Sequence, residues 1–105
     1  MDDLYDLLQK IKKRPPAYFG KRSIFHLQAF LDGYNYARRE LNLPITQQEQ
    51  EFAGFQEWLQ KRFKISSTQS WATVVLFYSE DERHALDVFF ELLEEFIVEN
   101  KNSAI

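Results

Sequence analysis

Several residue types that carry chemistry or interrupt regular structure are scarce in this 105-residue sequence. It contains no cysteine, two histidines, three glycines and three prolines. Without cysteine the chain has no disulfides, no thiolate metal sites and no cysteine nucleophile, a composition that fits a reducing compartment. Two prolines and one glycine cluster between Arg14 and Ser23, which makes this stretch the longest non-helical signal in an otherwise helix-rich sequence.

Long apolar runs are also absent. No stretch reaches the roughly 20 residues that a transmembrane helix needs. The acidic start Met1-Asp2-Asp3 does not resemble a signal peptide. We therefore expect a cytoplasmic protein that does not insert into a membrane.

The composition is that of a globular domain. Hydrophobic residues make up 45% of the sequence and charged residues 28%. The length suits one hydrophobic core and no linker divides it, so we expect a single domain over residues 1–105. Ten phenylalanines predict a core rich in aromatic rings.

The spacing of apolar residues predicts an all-α fold of about five helices in compact orthogonal or bundle-like packing. Ser23 is a good N-cap, and Thr46 with Glu49 and Ser79 with Glu82 match the capping box. The second and last helices should form the centre, because the last is apolar over about half of its circumference. The expected helices cover residues 2–13, 24 to about 41, 46 to about 63, 71–78 and 80 to about 99.

The segment 71–78 fits two kinds of secondary structure. Its β-branched and aromatic residues suit a buried strand, whereas Trp71, Val74, Val75 and Tyr78 recur at helical spacing behind a Ser70 cap. A lone strand would leave its backbone groups without partners, and no other stretch looks like a strand. We predict a short buried helix; a strand would require pairing with the same segment of a second chain.

Charge is distributed unevenly along the chain. Six bases and no acid lie between Leu7 and Leu31, whereas eight acids and one base lie between Glu80 and Glu99. Such a division can recruit a charged partner, or it can draw two parts of the same domain together.

No arrangement of residues predicts catalysis or metal binding. His26 and His84 lie near the starts of predicted helices without the nucleophile and orienting acid that a catalytic base serves. Asp87, Glu91 and Glu95 share a stripe with His84, but the Glu-x-x-His pair of carboxylate-bridged metal sites is missing. We expect no enzyme activity, no catalytic residue, no metal and no other cofactor, and a stripe that faces solvent.

The basic stretch from Arg14 to Ser23 is the first candidate binding site. Free N–H groups at the start of the second helix, the Ser23 hydroxyl and the nearby bases can converge on a phosphate or a carboxylate. The glycine spacing matches neither a P-loop nor a dinucleotide fingerprint. The candidate residues for an anion or a partner are Arg14, Tyr18, Gly20, Lys21, Arg22 and Ser23.

Faces of the second and last helices form the second candidate site, for a protein partner. Phe25, Ala29, Gly33 and Tyr36 occupy positions where charge is usual, so either another helix packs there or the face binds a partner. The acidic stripe of the last helix offers a face to a basic partner. The candidate partner-binding residues are Phe25, Tyr36, Asp87, Glu91 and Glu95.

A resemblance adds to these expectations. The run R-P-x-x-Y-x-G-K-R-S at 14–23, followed by Gly33-Tyr34, Ser70-Trp71 and the turn Phe77-Tyr78-Ser79-Glu80, resembles a group of small uncharacterised bacterial proteins. Some of these look like immunity proteins of bacterial toxin systems. The resemblance implies a small helical fold and suggests neutralisation of a toxin by binding.

The expected function is therefore that of a non-enzymatic module that binds another protein, immunity-like in the interpretation that the resemblance adds. The alternative is a small domain that binds a phosphate-bearing or other anionic ligand at residues 14–23. A pI near 5.4 disfavours nucleic acid as the partner. The sequence leaves a homodimer open.

Overall fold

The structure is a computed structural model that describes residues 3–103. It is all-α, with no strand among these residues, and this confirms the predicted fold class. Five of the helices have seven or more residues, as the sequence led us to expect. The helices are α1 (Leu4–Lys13), α2 (Pro16–Phe19), α3 (Ile24–Glu40), α4 (Gln47–Phe52), α5 (Phe55–Phe63), α6 (Trp71–Phe77) and α7 (Glu82–Ser103). No helix among residues 3–103 has both the length and the apolar character needed to cross a bilayer.

Helix α1 begins at a cap and ends where the prolines require it to. The Asp3 carboxylate accepts a hydrogen bond from the Leu4 N–H at 2.7 Å, and its negative charge suits the positive end of the helix. Leu8 and Ile11 are fully buried against the core. The helix stops at Lys13, before Pro15 and Pro16. The predicted start at Asp2 lies outside the described residues.

The basic stretch contains a short helix, so its interpretation as entirely non-helical was wrong. Pro16 is the first residue of α2, where proline is favoured because its φ is already helical and its missing N–H needs no partner. Gly20 ends α2 with φ +77°, a left-handed backbone that glycine adopts without strain. Phe19 packs on Phe30, with 6.1 Å between ring centroids. The turn thereby attaches α2 to α3.

Helices α3 and α7 lie at the centre, as predicted, and α6 packs against both. Phe55 of α5 meets Phe89 and Phe96 of α7 edge to face, with ring centroids 5.5 and 5.3 Å apart. Such edge-to-face pairs add to the free energy gained from burying the rings. The prediction of a core rich in aromatic rings is therefore correct.

The predicted helix 46–63 is divided in two. Thr46 caps α4 as expected, accepting a hydrogen bond from the Glu49 N–H at 3.1 Å. The chain then turns at Ala53 and Gly54, where the Gly54 N–H donates to the Glu51 carbonyl. The turn stacks the Phe52 and Phe55 rings, 5.2 Å apart, against the same core. Glycine's low helix propensity makes the interruption inexpensive.

The ambiguous segment is helix α6, capped by Ser70 as predicted, and the strand interpretation was wrong. The expected capping box at the start of α7 was also wrong. Asp81 accepts a hydrogen bond from the His84 N–H at 2.7 Å, whereas the Ser79 hydroxyl donates to the Val75 carbonyl at the end of α6. Helix α7 continues to Ser103, beyond the predicted end near residue 99.

Candidate functional site

The basic stretch presents its cations to solvent. Arg14, Lys21 and Arg22 are exposed, and within residues 3–103 none of these three side chains forms an ion pair or a hydrogen bond. Tyr18 is also exposed and rests edge-on against Phe30, with 6.0 Å between centroids. These charges are not used by the fold and remain free to meet an anion.

Ser23 lies apart from these exposed residues, because it is buried. Its hydroxyl accepts a hydrogen bond from the Phe25 N–H at 3.2 Å and donates one to the Glu82 carboxylate at 3.1 Å. A carboxylate of the same chain therefore sits at the start of α3, the position where an external anion was expected. The contact also ties the start of α3 to the start of α7 across 59 residues of sequence.

A groove of about 220 Å³ separates the basic stretch from the acidic side of α7. Lys12, Pro15 and Arg22 form one wall, and Asp87 and Glu91 lie on the other. No ion pair within 4.0 Å crosses the groove in residues 3–103. The fold thus brings the two oppositely charged segments of the sequence next to each other, where they attract through solvent.

We use the name acidic face for the exposed side of α7 formed by Asp87, Glu91, Glu94, Glu95, Val98 and Glu99. Two of its carboxylates have partners: Arg62 contacts Glu95 at 3.2 Å, and the Trp58 indole N–H donates to Glu99. Val98 is 50% exposed within this acidic surface. The face combines high negative charge with one exposed apolar side chain.

His84 does not join the acidic face. It is half-buried, and its Nδ1 accepts a hydrogen bond from the Glu80 N–H at 3.0 Å. No group of three or more histidine or acidic side chains within residues 3–103 is arranged to hold a metal ion.

The predicted partner-binding residues of α3 have different surroundings. Phe25 is half-buried and packs against the core, whereas Tyr36 is 59% exposed. Ala29 and Gly33 are exposed as well, so the alternative in which another helix packs over this strip was wrong. Among these predicted residues of α3, only Tyr36 offers a partner a large exposed aromatic ring.

The connection from α3 to α4 carries further exposed apolar side chains. Leu43 and Ile45 line an open groove between these helices. Arg38 supports the connection by donating to the Pro44 carbonyl at 3.0 Å and by lying 2.8 Å from Glu49, an ion pair without hydrogen-bond alignment. Ile45 remains 64% exposed.

Sequence reasoning missed the most exposed aromatic side chain among residues 3–103, Phe77, which is 80% exposed at the end of α6. Phe77 borders a mostly apolar cleft of about 260 Å³, formed with Tyr78, Val74 and the loop after α5. We call Phe77 and this cleft the Phe77 surface. The helical projection that groups Trp71, Val74, Val75 and Tyr78 also puts Phe77 off their shared face, so the signal was present in the sequence.

No protein-family model matches the chain, and no curated protein or solved structure matches it either.

Proposed function

We propose that this protein is a non-enzymatic binding module that holds a basic protein partner against the acidic face. The observation that carries the proposal is the concentration of exposed carboxylates around Val98 on one side of α7. Clustered charge accelerates encounter with a partner of opposite charge, and an exposed apolar residue among the carboxylates adds contact area on docking.

The negative charge of the acidic face also indicates which class of partner it can bind. Glu91 and Glu94 are exposed and have no ion-pair partner within residues 3–103, so their carboxylates are available to a basic partner. A nucleic acid backbone, itself negatively charged, is repelled from such a face. Two copies of the acidic face repel each other too, so a homodimer would need another surface.

The biological role that we propose follows the resemblance to immunity proteins: the basic partner is a bacterial toxin, and binding in the cytoplasm blocks it. A toxin gene beside this one, and rescue of growth when the two are expressed together, would support this role. Growth arrest that persists despite a soluble, folded chain would reject it.

The binding surface itself can be tested with two double variants that change net charge equally. Glu91→Lys with Glu94→Lys reverses the acidic face, whereas Asp32→Lys with Glu40→Lys alters exposed positions of α3. Proteins crosslinked in the native host should be recovered with the wild type and the α3 variant and lost with the acidic-face variant. Equal recovery with both variants would contradict the proposal.

A second candidate function is supported by the unpaired Arg14, Lys21 and Arg22, which can bind a phosphate-bearing or other anionic ligand. Inorganic phosphate and nucleotides provide the test, since a ligand at 100 times its Kd stabilises the folded state by about 2.7 kcal/mol. The melting temperature should rise for the wild type and not for Lys21→Ser with Arg22→Ser. An unchanged melting temperature with every anion would reject this candidate.

A further inference from the structure

The Phe77 surface presents a projecting ring and an empty cleft side by side. Phe77 projects into solvent and forms one edge of the cleft, whose mainly apolar lining also includes Ile65, Val74 and Tyr78. Its volume of about 260 Å³ is below the roughly 300–1,000 Å³ of typical small-molecule sites. The cleft therefore suits one large side chain better than a cofactor or a metabolite.

The walls of the cleft are held in place by polar contacts behind them. Gln60 donates to the Ser67 carbonyl and Gln56 to the Gln69 carbonyl, each at 2.6 Å, and both contacts fasten the loop to α5. On the other side, the Tyr78 ring stacks on Phe63 with 4.1 Å between centroids and 9° between planes. A cleft supported in this way loses little conformational entropy when it is filled.

Two exposed, oppositely charged residues lie close in sequence to residues that line the cleft. Lys64 immediately precedes Ile65 at the end of α5, whereas Glu80 lies two residues after Tyr78 in the turn before α7. The stacked Phe63 and Tyr78 rings bring these two chain segments together. The surface thus carries a base on one segment and an acid on the other.

We infer that the Phe77 surface is the interface of a two-fold homodimer, in which Phe77 of each copy fills the cleft of the other. A two-fold interface must be self-complementary, since the same patch is used twice. A ring beside a cleft meets this requirement in shape, and Lys64 with Glu80 meets it in charge. None of the residues of this interface belongs to the acidic face.

Sedimentation of the full chain over a wide concentration range tests this interface. Phe77→Ser should raise the dimer Kd by roughly 30-fold or more, the expected loss for an aromatic ring at the centre of an interface. Ile45→Ser, which removes an exposed apolar side chain elsewhere, should leave the Kd unchanged. A wild type that stays monomeric at millimolar concentration, or equal effects of the two substitutions, would overturn the inference.

Lys64 and Glu80 provide a second test, in which Phe77 is left unchanged. Lys64→Glu and Glu80→Lys should each weaken the dimer, and their combination should restore it, because each interface then regains two opposite-charge pairs. Failure of the double variant to restore the dimer would overturn the two-fold arrangement. Added salt should diminish all of these charge effects, since exposed pairs are screened.

Discussion

At the start of α3 a polar side chain is paired inside the fold, whereas at the end of α6 an aromatic side chain is left exposed. At the start of α3, the buried Ser23 hydroxyl and the Glu82 carboxylate are partners within the same chain. At the end of α6, Phe77 projects into solvent beside a cleft that no side chain fills. A polar group that is satisfied inside the fold contributes to stability, whereas an uncovered apolar surface is available for association.

The largest difference in the free energy of unfolding should be seen between a buried and an exposed phenylalanine, each replaced by alanine. Phe89 is fully buried, so Phe89→Ala should lower the free energy of unfolding by about 3–5 kcal/mol through lost burial and a residual cavity. Phe77→Ala should change it by less than about 0.5 kcal/mol in the monomer, as exposed positions do. Urea denaturation at low protein concentration measures both values. Comparable losses for the two variants would show that Phe77 is part of the core.

A smaller effect is expected at the start of α3. Ser23→Ala removes both the helix cap and the hydroxyl that donates to Glu82, and should cost about 1–2 kcal/mol. Chemical denaturation of Ser23→Ala, Glu82→Ala and the double variant gives the coupling between the two residues. If the contact between Ser23 and Glu82 stabilises the fold, the coupling free energy between the two residues should be favourable. Additive losses would mean that the contact does not stabilise the fold.

The smallest expected effect concerns another polar contact inside the fold, between the Tyr5 hydroxyl of α1 and the Glu51 carboxylate of α4. Burial and a hydrogen bond to Glu51 raise the pKa of the Tyr5 phenol. The folded chain therefore keeps this proton at a pH where the unfolded chain, with a tyrosine pKa near 10, releases it. Stability should be fully retained below about pH 10 and should fall as the pH rises above it. Melting temperatures between pH 8 and 11 should fall less steeply for Tyr5→Phe than for the wild type.

Much of the helical architecture follows from local sequence. Ser23, Thr46 and Ser70 cap the helices that they precede, as predicted, and the apolar spacing identifies the buried faces of α1, α3 and α7. These features depend on contacts between residues a few positions apart, which a linear sequence displays directly. These three caps were accordingly predictable.

The features that could not be predicted depend on residues far apart in the sequence or on a choice between two similar capping residues. The residues next to Ser23 in the sequence do not indicate that its hydroxyl donates a hydrogen bond to Glu82, because the two residues are 59 positions apart. At the start of α7, Asp81 competes with Ser79, and both are good caps. The division between α4 and α5 arises because Phe52 and Phe55 both pack on the core, a tertiary requirement that helical spacing alone does not contain.

The composition of the core also determines when this chain can fold during synthesis. Of the eighteen apolar side chains buried within residues 3–103, seven belong to α7. Until the ribosome has released that helix, the apolar sides of the earlier helices lack a large part of the core surface that they pack against in the folded chain. We expect nascent chains that stop before Glu82 to remain unfolded and to depend on chaperones, with folding occurring in one step after α7 emerges.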